Sequence, residues 1–137
     1  MNSSSNITSL VGRLLISQIF LFSGVTKIAM YSHIVGFAAA KGIPMPGIAI
    51  ALAAATEILG GLAILVGFQT RAAAWLLFLY LIPATLIFHN FWALSGAEHQ
   101  EQFMNFIKNL TIMGGLLILA ASGAGGFSVD KARAAKT

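Results

Sequence analysis

The chain has 137 residues, 58% of them hydrophobic and only 9% charged, whereas an average soluble domain carries about 25% charge. That balance predicts one membrane-embedded domain over residues 1–137. The net charge of +4 comes from scattered basic residues, which excludes the dense basic face of a nucleic-acid binder. The absence of cysteine excludes thiol catalysis, disulfide exchange and cysteine-ligated redox centres within the chain.

Four apolar runs are long enough to cross a bilayer, which takes roughly 20 helical residues. Isolated strands would leave backbone groups unpaired in lipid, so the expected fold is all-α, a bundle of four transmembrane helices. The first run covers residues 10–31 and follows a polar segment with Arg13 at its entry. No small-x-small cleavage site follows, so this run is expected to stay as a span. KGIPMPG, with its prolines and glycines, leads into the second run at 47–68. Gln69-Thr70 links it to the third, 71–90, and so short a link makes the pair a tight helical hairpin. Pro83 is expected to kink the third span. SGAEHQEQ reads as a polar loop before the fourth run, 103–122, and a small, basic tail occupies 123–137. Four spans put both termini on one side. Arg13, Arg71, Lys131, Arg133 and Lys136 then face Lys27, Lys41 and Lys108 across the bilayer, which favours cytoplasmic termini.

Glu57 is the one charge between Gly47 and Phe68, and the helical rise puts it about 15 Å from either end of its span. A charge at that depth must pair, change its ionisation or line water. Ala53, Ala54 and Gly61 share its face, letting a neighbouring helix approach closely. Lys27, with its long side chain, is the expected partner, and His89 the next. Arg13, Ser17, Gly24 and Lys27 fall on one face of the first span, and Arg71 and His89 nominally share a face of the third. The bland alternative is a structural ion pair that only locks the bundle. His89 opens HNFW, in which Phe91 and Trp92 read as interface anchors, with Trp92 also a ligand-binding candidate. Lys108 and Asn109 begin the buried part of the fourth span and are further ligand-binding candidates, with Lys108 equally able to snorkel. His33 and His99 read as loop residues, so a bis-histidine haem is not expected. No carboxylate–histidine set has metal-ligand spacing.

Several segments together resemble the DoxX family of small bacterial inner-membrane proteins. They are RLLISQIFLFSGVTK, the PMP loop, EILGGLAILVGFQTR, HNFW and KNLTIMGGLLILAASGAGGFSVDK. Each is degenerate alone, and their order over four spans carries the likeness. The resemblance implies a four-helix fold in the bacterial cytoplasmic membrane and a link to quinone redox chemistry. It implies no complete enzyme: with no redox centre of its own, the chain would be a subunit beside a partner redox subunit. The alternatives are a small proton-coupled transporter, which would need a homo-oligomer, and a non-catalytic scaffold or assembly subunit. A quinone or other lipophilic molecule is the ligand each redox reading requires.

Overall fold

The computed structural model describes residues 2–136. They form α1 (Ser3–Ala29), α2 (Tyr31–Ala40), α3 (Pro46–Val66), α4 (Thr70–Phe88), α5 (Gly96–Ser122) and the short α6 (Val129–Ala134). A single 3-10 turn, Phe91–Ala93, sits between α4 and α5, and there is no strand among the described residues. The four expected spans correspond to α1, α3, α4 and α5, each apolar and long enough to cross a membrane.

Both ends of the chain lie at one end of the bundle, here the terminal end; the opposite end is distal. α1 packs along α3, α3 along α4, and α4 along α5, while α1 and α5 touch at few points. The core where these helices meet is built from Phe20, Ile64, Leu77 and Leu116. Large apolar side chains such as Phe22, Leu59, Leu62 and Ile118 point outward and stay exposed. In water such a coat would drive aggregation; against acyl chains it costs nothing.

Gly24 sets the closest approach of α1 to α3. A Cβ there would stand 2.6 Å from Ile58 Cγ1 and 3.1 Å from the Ala54 carbonyl oxygen. The bare backbone lets α1 lie on α3 beside Glu57, which brings the polar residues next to Gly24 within reach of that carboxylate.

Three local expectations are corrected. Residues 95–102 are not a loop: α5 begins at Gly96 and carries this polar stretch as its first turns, so that His99 is helical. There, His99 Nδ1 shares a hydrogen bond with the Phe91 carbonyl (2.9 Å). His33 lies in α2 rather than in a loop. The tail contains α6, whose start is capped by the Ser128 hydroxyl accepting from the Lys131 N–H.

The tail is a clamp on the terminal end. Asp130 Oδ1 accepts from the Gln69 N–H (2.7 Å) and Oδ2 from the Thr70 N–H (3.0 Å), satisfying the otherwise open start of α4. The Asp130 N–H in turn donates to the Gly67 carbonyl (2.8 Å). Gly67 has a φ of 72°, and a Cβ there would stand 2.5 Å from Ser128 Cβ, so glycine is required on both counts. Burial works to raise the Asp130 pKa, but the Thr70 and Gln69 N–H donors and nearby Arg133 outweigh it and hold it below 3.8. A pKa lowered by folding makes the clamp fully effective above the ordinary aspartate range and weakens it only as pH falls through the lower, folded value. Asp130→Asn is therefore expected to cost about 1 kcal/mol at pH 7, a typical helix-cap loss. Thermal unfolding in detergent checks this: the gap between variant and parent should persist at pH 5 and narrow as pH falls below 3.8.

Candidate functional site

Glu57 lies in the twelfth position of α3's 21 residues, so about 14 to 16 Å of helix separates it from each end. It is 4% exposed. Two neighbouring helices bring donors to it. From α1, Lys27 Nζ stands 2.9 Å from Oε2 and 3.1 Å from Oε1, and the Ser23 hydroxyl donates to Oε1 (3.1 Å). From α4, the Tyr80 hydroxyl donates to the same oxygen (2.9 Å). Lys27 also donates to Ser23 Oγ (2.8 Å), closing a ring of contacts. A carboxylate can be kept at this depth because its charge is balanced and each oxygen is engaged.

Ser23 and Tyr80 are neighbours of Glu57 that the sequence reading does not single out. The signals were present: Ser23 is four residues before Lys27, one helical turn away on the same face. Tyr80 places a phenol inside an apolar span, and a buried phenol hydroxyl needs a partner.

The network forms part of the wall of a cavity of about 520 Å³ in the distal half of the bundle. Ser23, Lys27, Glu57, Tyr80, His89, Gln102, Lys108 and Asn109 supply its polar lining, and apolar residues such as Phe20, Ile50 and Leu81 most of the rest. His89, where α4 ends, does not reach Glu57; its Nδ1 shares a hydrogen bond with Gln102 Oε1 of α5 (2.7 Å). Asn109 is buried and donates to the Thr85 hydroxyl (3.0 Å), tying α5 to α4. Lys108 is exposed, its ammonium 3.0 Å from Asn105 Oδ1. Trp92 lies outside the cavity lining, exposed in the 3-10 turn with its ring edge-on to Phe91 and Phe106. Pro83 also lines the cavity, and its missing N–H leaves the Leu79 carbonyl without its helical donor.

Arg13 and Arg71 belong to the opposite end and to a different task. Arg13 is 1% exposed, and its Nη1 donates to the Ile64 (3.2 Å) and Leu65 (2.9 Å) carbonyls at the end of α3. Its Nη2 donates to the Phe127 carbonyl of the tail. Arg71 Nη1 donates to the Ala120 carbonyl near the end of α5 (3.2 Å). Both guanidinium groups thus serve carbonyls that a helix C-terminus leaves open, where a cation is also favoured by the helix dipole.

These features define a small multi-pass helical membrane protein built round a buried carboxylate network beside a mostly apolar cavity. The chain belongs to the DoxX family, whose model matches residues 8–90 and so takes in α1, α3 and α4 with Lys27, Glu57 and Tyr80. It is 33% identical to inner membrane protein YphA of Escherichia coli over 122 residues, 89% of this chain and 87% of that protein. It is 36% identical to inner membrane protein YqjF of the same organism over 131 residues, 96% and 95% of the two chains. A shorter match, 32% over 74 residues, joins 54% of the chain to 24% of the ER-derived vesicles protein ERV29 of Saccharomyces cerevisiae. No solved structure matches. Four membrane-crossing helices and inner-membrane relatives make it a multi-pass protein of the bacterial inner membrane.

Proposed function

We propose that the cavity binds a quinone, or a similar lipid-soluble carbonyl compound, and that the chain is the membrane subunit of a redox assembly. The observation that carries this reading is the Tyr80–Glu57–Lys27 network on the wall of an apolar cavity. A quinone head needs an apolar slot, hydrogen-bond donors at its carbonyl oxygens and a group that can pass protons. The Lys27 ammonium has a third N–H for a carbonyl oxygen, and the Tyr80 O–H, held by Glu57 in the empty site, turns to the ligand when Glu57 takes up a proton; Glu57, bonded to both, is the proton carrier. Reducing a quinone to a quinol takes two electrons and two protons. The protons reach it through Glu57 and Tyr80, and the electrons come from a partner redox subunit, since the chain has no cysteine to hold a metal cluster.

Equilibrium binding of a radiolabelled short-chain ubiquinone to the purified protein tests the proposal. Saturable binding is expected, weakened roughly tenfold in Tyr80→Phe, the equivalent of one lost hydrogen bond. An absence of saturable binding to the parent protein, together with quinone-free lipid extracts from it, would sink the reading. A proton-coupled carrier would use the same buried carboxylate. It is the reading to adopt if liposomes show pH-driven flux that disappears in Glu57→Gln.

A further inference from the structure

The cavity has packed walls on most sides and one open seam. α1 against α3, α3 against α4, and α4 against α5 close the bundle around it. Its distal cover is α2 and the loop after it, which contribute Ile34, Phe37 and Ile43 to the lining. That cover is fastened: Phe37 stacks on Phe88 with ring centroids 5.9 Å apart, and Lys41 Nζ donates to Asn90 Oδ1 (2.6 Å). α1 and α5 are different. Both line the cavity, through Ile19 and Lys27 on one side and Lys108 and Ile112 on the other, yet they barely touch. Nearer the terminal end the two helices come together, where Ile16 Cδ1 would stand 3.1 Å from a Cβ on Gly115. On the distal side of that contact the seam faces the bilayer, and Ile19 on its edge is 37% exposed.

We infer that the cavity is filled from the bilayer through the seam between α1 and α5, with Ile19 and Ile112 as its two lips, so that its ligand is a membrane-dissolved amphiphile. This rests on the reading of the cavity as a ligand site. A molecule already partitioned among acyl chains enters such a gap without gaining water contact on its apolar body. Lys108 stands on the α5 side of the gap, and its ammonium donates to the neutral Asn105 amide oxygen. It offers a donor to a polar head as the head crosses the threshold, which favours molecules carrying a carbonyl or an acidic oxygen at one end. A water-borne solute would instead have to pass the fastened cover.

The chain has no cysteine, so one reporter thiol can follow arrival in the cavity. Ala84→Cys on α4 puts that thiol in the cavity lining, on a helix that borders neither side of the seam. In proteoliposomes, N-phenylmaleimide, which dissolves in the bilayer, is expected to label it much faster than a sulfonated, membrane-impermeant maleimide. Adding Ile19→Trp or Ile112→Trp should slow the lipophilic reagent roughly tenfold, and Ile19→Ala or Ile112→Ala should speed it, as a barrier at the lips requires. Ile34→Trp, in the cover, should leave the rate as it was. Equal labelling by the two reagents would overturn the inference. So would lip variants of either size that leave the rate unchanged, or a rate controlled by Ile34→Trp. The assay contains no quinone, so its failure and the failure of the quinone reading are separate results.

Discussion

Glu57→Gln is expected to lower stability by about 3–5 kcal/mol, because it leaves the Lys27 ammonium inside the bundle without its counter-charge. The substitution preserves shape, so the loss isolates charge from packing. The amide can still accept from the Tyr80 and Ser23 hydroxyls at one oxygen, but its NH₂ would face Lys27 Nζ, donor against donor, at the position where 2.9 Å now separates opposite charges. Combining Glu57→Gln with Lys27→Gln removes both charges, and the double variant is expected to recover most of the loss, since a pair deleted together is close to neutral. Ligand binding should not recover with it. Thermal unfolding in detergent, read beside quinone binding on the same samples, measures both. A double variant as unstable as Glu57→Gln would mean that the hydroxyl bonds, not the ion pair, hold the three helices at this level.

The second large effect is expected at Arg13. Truncation to Met keeps much of the aliphatic volume but withdraws the donors to Ile64, Leu65 and Phe127; the Ile64 carbonyl keeps the Gly67 N–H, and those of Leu65 and Phe127 are left to find partners. Each buried acceptor left open costs about 1–3 kcal/mol, and relaxation at the membrane surface recovers part of it, so about 2–4 kcal/mol is expected. Arg13→Lys should rescue little, because a point ammonium cannot span carbonyls that a planar guanidinium reaches from two nitrogens. Arg71→Met serves as the contrast: its side chain is exposed and makes one such bond, so a loss near 1 kcal/mol is expected. Unfolding midpoints that put Arg13→Met level with Arg71→Met would refute the assignment of Arg13 as a tie between α3 and the tail.

How much of this could be read in one dimension depended on what each residue had to compensate. The spans were legible because sustained apolar runs have few alternatives in lipid, and α3 and α4 begin and end within about two residues of expectation where Pro46 and Gly67 punctuate them. α5 began earlier than expected because AEHQEQ is polar, and polarity was taken for a loop; a helix that runs past the bilayer surface meets water and can be polar all round. α2 escaped because its ten residues are too few to cross a membrane and carry no clear face. The partnership of Glu57 with Lys27 followed from depth and reach alone. His89 is the sequence's second candidate for the same carboxylate, but where α4 ends its ring meets Gln102, whose polar surroundings read as loop and which stands in the first turns of α5. Arg13 looked like topological charge; only the folded chain shows that helix ends and the tail converge on it.

That convergence has a consequence for how the protein is made. During synthesis Arg13 enters the membrane with α1, while the carbonyls it will serve lie some fifty residues later in α3 and more than a hundred later in the tail. Asn6 and Ser9, also in α1, likewise wait for Gly126 and Ala124. α1 is thus inserted long before it is fully secured, and a nascent chain that stops short of residue 124 leaves Arg13 without its tail contact and Asn6 and Ser9 without their partners.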